Sequence, residues 1–130
     1  MAVYAPVCTG DTVAAVQVEQ MPDVGESGDV TLIWDAEQPT EASVREGLIV
    51  LGTGFATVRQ APPAQFAGVL SVAVDTTAGR RYSAALPVPD RTDRFPAGTP
   101  LTDMSFVTED GTADYTTMRA HFSAEFDNCG

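Results

Sequence analysis

Apolar and polar residues alternate along this chain in short runs rich in β-branched side chains. Each run is closed by a Gly, Pro or Asx turn signal, and that period of two points to strands. In Thr12–Glu19, Val16 and Val18 face one way while Gln17 and Glu19 face the other. In Asp29–Asp35, Val30, Leu32 and Trp34 are expected to share a face. Residues Met21–Gly28 between these runs read as a loop from their Pro and Gly content.

A polar linker around Gln38-Pro39-Thr40 leads to the continuously apolar run Leu48–Leu51, which fits a strand buried on both faces. Gly52-Thr53-Gly54 then suits a tight hairpin into Phe55–Arg59. A further hairpin is expected from Gly68–Asp75 through Thr76-Thr77-Ala78-Gly79 into Arg80–Leu86. Pro87–Pro100 holds four prolines and the charged stretch Asp90–Arg94, so it reads as a long surface loop. Asp110-Gly111 is a turn joining Leu101–Thr108 to the terminal segment. There Met118, Ala120, Phe122, Ala124 and Phe126 alternate with polar residues, although Tyr115, Met118, Phe122 and Phe126 also fall at helical spacing. The ten-position alternation favours a strand. The expected fold is all-β: one domain over residues 1–130, an antiparallel β-sandwich or small barrel of about seven to eight strands with a long Pro-rich loop.

Charge narrows the functional classes. Eighteen Asp and Glu oppose seven Arg, no Lys is present, and the net charge is −11. Such a surface suits a salt-rich environment, because at about 1 M salt the Debye length falls to roughly 3 Å and carboxylates cease to repel. A high-GC genome also favours Arg, Ala, Gly, Asp and Thr, so composition leaves both origins open. Either way a nucleic-acid partner is disfavoured, since phosphate contacts need a basic footprint. No stretch approaches the roughly 20 apolar residues of a membrane span, and Met1–Pro6 lacks the basic start of a signal peptide. Synthesis in the cytoplasm, with no membrane partner, is therefore expected.

Motifs for chemistry are sparse. The single histidine, His121, excludes a zinc site of several imidazoles, and its expected place is an exposed strand position. The phosphate-binding Gly-Lys loop and the Gly-x-Ser-x-Gly nucleophile elbow are both missing. Asp90, Asp93, Asp103, Asp110 and Asp114 match no EF-hand spacing and read as a solvated acidic rim. The expectation is a non-enzyme with no catalytic residue, metal or cofactor. Cys8 and Cys129 stand near opposite ends, either as a disulfide closing nearly the whole chain or as two free thiols. Their terminal placement departs from the immunoglobulin arrangement, where a core tryptophan packs on a disulfide between central strands. Trp34 is expected in the core.

Ala67–Gly79, a strand of small and β-branched residues that opens with Gly and leads through a polar turn, resembles a pattern in capsid decoration proteins of tailed viruses. Val44–Gly52 is similar to the segment preceding it in that family. The resemblance covers about a third of the chain. It implies a structural virion protein that acts by adhesion, as a homo-oligomer on a major capsid protein or other virion subunits. A tail-tube, head–tail connector or turret subunit is the nearby alternative, and an extracellular β-sandwich binding module or adhesin the alternative of another class. On the virion reading, Val3, Tyr4 and Val7 are expected to pair with neighbouring subunits by strand addition. Arg91, Arg94 and Phe95 would supply an arginine and aromatic contact.

Overall fold

The computed structural model describes residues 2–8, 10–22, 30–88, 93–94, 104–107 and 114–115. Its longer strands are β2 (Val13–Gln20), β3 (Thr31–Pro39), β5 (Phe55–Gln60), β6 (Val69–Thr76) and β7 (Arg81–Pro87). The shorter ones are β1 (Ala2–Tyr4), β4 (Leu48–Val50), β8 (Asp93–Arg94), β9 (Ser105–Val107) and β10 (Asp114–Tyr115), and one helical turn, α1 (Ala42–Arg45), precedes β4. The long strands form an antiparallel five-stranded sheet in the order β5-β3-β2-β6-β7. A three-stranded antiparallel sheet, β4-β1-β9, forms the second layer, and β8 pairs with β10. The all-β sandwich expected from the alternation is therefore the fold.

One core lies between the layers. Val16 and Val18 of β2, Trp34 and Ala36 of β3, Val72 and Val74 of β6, and Tyr82 and Ala84 of β7 face Val3, Ile49 and Phe106 of the smaller sheet. Cross-strand register explains why these side chains meet: Val18 stands opposite Trp34 and Val72, and Val74 opposite Tyr82, so their Cβ atoms share a face. On the outer face, Arg81 Nη1 donates to both oxygens of Asp75 at 3.0 Å and Nη2 donates to Gln17 Oε1 at 2.8 Å, linking three strands.

Three expectations need correction. Trp34 is buried as anticipated, but Val30 and Leu32 are 46% and 40% exposed. The register of β2 against β3 slips at Val18/Glu19, so Leu32 pairs with Glu19 while Ile33 packs on the core. A bulge reverses the face of every residue beyond it. Second, Gly52-Thr53-Gly54 does not close a hairpin: β4 pairs with β1 and β5 with β3, so the chain crosses between layers there. Gly52 and Gly54, at φ 91° and 92°, provide the left-handed backbone of that crossing. Third, the linker after Pro39 contains α1, which buries Val44 and stops at Gly47 with φ 115°.

The β6–β7 hairpin turns through Thr76-Thr77-Ala78-Gly79 as expected, closed by Thr76 N–H donating to Arg80 O at 2.9 Å. The expected Asp110-Gly111 turn, the terminal strand with His121, and most of the Pro-rich loop lie outside the described residues, but Asp93 and Arg94 form β8. Among the described residues no helix is long and apolar enough to cross a membrane.

Candidate interface at the open edge of the five-stranded sheet

Of the residues expected to dock onto neighbours, Val3, Tyr4, Val7 and Arg94 lie among the described ones. Val3 is fully buried, and β1 is the middle strand of its sheet, paired on one side with Ile49 and on the other with Phe106. Strand addition does occur at this segment, but within the chain, and no backbone edge remains there for a partner. Tyr4 is half-buried against Ala2 and Val107, and Val7 packs against the main core. Arg94 lies in β8, opposite Asp114. Arg91, Phe95 and Cys129 lie outside the described residues.

Cys8 is disulfide-bonded. A bonded sulfur carries no proton, so the buried Tyr82 hydroxyl donates the hydrogen bond that joins them at 3.1 Å. The only other cysteine in the sequence is Cys129.

Among the described residues one carboxylate is buried. The Asp11 side chain is only 2% exposed, and the sequence offers no motif that marks it. Asp11 Oδ1 accepts Thr12 N–H at 2.8 Å, Ala78 N–H at 3.1 Å and the Thr77 hydroxyl at 3.2 Å, and Arg80 Nη1 lies 3.4 Å from Oδ2. Burial pushes its carboxyl up, but hydrogen bonds from Thr76, Thr12, Ala78 and Thr77 outweigh this and hold it below the ordinary value of 3.8. With its acceptors occupied by its own chain, Asp11 is a clasp between the loop entering β2 and the β6–β7 turn. Among the described residues no group of three or more His, Cys, Asp or Glu could hold a metal.

Among the described residues, β5 is an outer strand with no neighbour on its far side. It ends the order of the larger sheet, and Ala56, Val58, Arg59 and Gln60 are all exposed. Val58 stands opposite the fully buried Ala36 and yet is 49% exposed, so the smaller sheet does not reach over this margin. The margin is anchored from inside, where Trp34 meets the rings of Phe55 and Phe66 edge-on at 5.7 and 6.4 Å. Beyond β5, Leu51, Gly52, Pro62, Pro63, Gln65 and Phe66 line a shallow groove of about 480 Å³.

Electrostatically this margin differs from the rest of the chain. Residues 47–74 contain no Asp or Glu, although the whole sequence contains 18. The one charged side chain on β5, Arg59, is already paired with Glu37 at 3.0 Å. That interval is the sequence signal for the margin, and it becomes legible only when acids are mapped by position rather than summed. Comparison with known protein families, curated proteins and solved structures returned no match.

Proposed function

We propose that this protein is a structural component of a virus particle, a capsid decoration protein of a tailed virus that holds to its neighbours by adhesion and carries out no chemistry. The observation that supports this reading best is the β5 edge, unpaired on its outer side among the described residues: a strand free of acids, with a half-exposed valine, whose one charged side chain, Arg59, is paired with Glu37. An acidic exterior keeps closely arrayed copies soluble, while an edge strand without acids lets protein approach protein. The similarity of Val44–Gly52 and Ala67–Gly79 to decoration proteins supplies the kind of particle. On this reading the partners are the major capsid protein and further copies of the chain, and the protein works in the virion. A tail-tube, connector or turret subunit would use the same adhesive logic at another position.

The groove beside Phe66 favours one other reading, a free-standing binding module that takes a ligand there. Mass spectrometry of purified virus particles from a salt-adapted culture distinguishes the two. The virion reading expects this chain at a fixed copy number relative to the major capsid protein. Its absence from particles, with the chain free in solution, would reject that reading.

A further inference from the structure

We infer that the β5 edge is a self-association surface, where β5 of a second copy pairs antiparallel across a two-fold axis near Thr57 and Val58 and joins two five-stranded sheets into one. The inference deepens the adhesion reading by naming the partner at that edge. It is tested on the purified chain, so the two can fail separately.

Three observations converge on this edge. First, β5 is a six-residue strand of Phe, Ala, Thr, Val, Arg and Gln, without the proline, lysine or acid by which sheet edges are usually blunted. The opposite edge, β7, ends in Pro87, which has no backbone N–H to offer a partner strand. The outer strands of the smaller sheet, β4 and β9, are three residues each.

Second, the charge pattern selects a copy of this chain as the partner. Two bodies of net −11 repel over most approaches. The approach with least repulsion brings the two acid-free β5 strands together, because the Glu37 carboxylate beside Thr57 is paired with Arg59 on both partners. A strongly basic partner would gain from acids on the strand it pairs with, and β5 carries none.

Third, the symmetry closes. An antiparallel pair of identical edges satisfies both backbones with one isologous contact, and it consumes the edge so that growth stops at two copies. It also covers the exposed flank of Val58, which the smaller sheet leaves open.

The experiment is sedimentation equilibrium of the purified chain from about 0.1 to 2 M NaCl, with amide hydrogen exchange at low and high protein concentration. The expected result is a species of twice the 13.7 kDa chain mass. Its association should strengthen with salt, because screening relieves repulsion between like-charged bodies. Slowed exchange should appear in β5 on concentration and be absent from β7. Val58→Glu would place like charges across the axis and should raise the dissociation constant about tenfold or more, whereas the neutral Val58→Thr should leave it within about twofold. Circular dichroism confirms that both variants are folded. A chain that stays monomeric at every salt concentration overturns the inference, as does a dimer indifferent to Val58→Glu or one whose concentration-dependent protection lies outside β5. A dimer of the purified chain that is missing from particles would leave this inference standing and remove the virion reading.

Discussion

The Asp11 carboxylate accepts the backbone N–H of Ala78 at 3.1 Å, fastening the loop before β2 to the turn of the β6–β7 hairpin. The same oxygen takes Thr12 N–H, so one side chain organises two loops 66 or more residues apart in sequence. Asp11→Ala would leave these donors unpaired in a largely buried place and should cost about 2–4 kcal/mol by urea denaturation.

Acid tests the same clasp. Because the folded-state pKa of Asp11 is lowered from 3.8, the unfolded chain binds its proton first. The contribution of Asp11 is therefore complete above that value and is lost as pH falls through the lower folded-state pKa. Between about pH 5 and 2, denaturation midpoints should fall more steeply for the wild type than for Asp11→Asn. Parallel curves would show that Asp11 does not titrate as the geometry implies.

Among the described glycines, Gly47 is the most constrained. It has φ 115°, its carbonyl accepts Ala5 N–H at 2.9 Å, and a Cβ there would collide with the Ala5 carbonyl. Gly47→Ala should therefore cost about 3 kcal/mol or more. Gly79 has a similar φ of 83° but nothing within 4 Å of an added Cβ, so Gly79→Ala should cost only the backbone penalty, about 1–2 kcal/mol. Thermal melts of the two variants check the ranking, and equal losses would contradict it.

Trp34 is fully buried, and its indole N–H has no hydrogen-bond partner among the described residues. Trp34→Phe removes that unsatisfied donor while keeping a ring against Phe55 and Phe66, so its loss should stay below about 2 kcal/mol. Trp34→Ala empties the site and should cost about 3–5 kcal/mol. As the sole tryptophan, Trp34 reports its own environment, and its emission should move to the red on unfolding.

Cys8 is disulfide-bonded, and a link to Cys129 would close nearly the whole chain. Denatured but unreduced protein should then take up no thiol label, and peptide mapping should recover Cys8 joined to Cys129. Reduction should lower the unfolding free energy by up to about 4–5 kcal/mol, since a long closed loop restricts the unfolded ensemble most. Labelling of Cys8 without reductant would refute the bond.

The alternation Val16, Val18 against Gln17, Glu19 was enough to place β2, because side chains on a strand repeat every two residues wherever the chain runs regularly. The Thr76–Gly79 turn and the burial of Trp34 were legible for the same local reason. Leu32 was misplaced because a bulge is a property of two strands in register, and the run Asp29–Asp35 contains nothing that announces its partner. Gly52 and Gly54 signal a left-handed turn, but whether the chain folds back or crosses to another sheet depends on which neighbour offers the better partner. Val3 reads as a sticky end, yet the gap between β4 and β9 that absorbs it is made by residues 48–50 and 105–107.

Period and turn chemistry, both local, made the chain a β-sheet protein, and composition made it strongly acidic. Which edge stayed open, and which carboxylate was buried, were decided by long-range pairing, because an edge exists only relative to the strands that did find partners. The acid-free interval 47–74 lay in the sequence throughout, but it acquired meaning as a surface only when β5 came to rest at the end of its sheet.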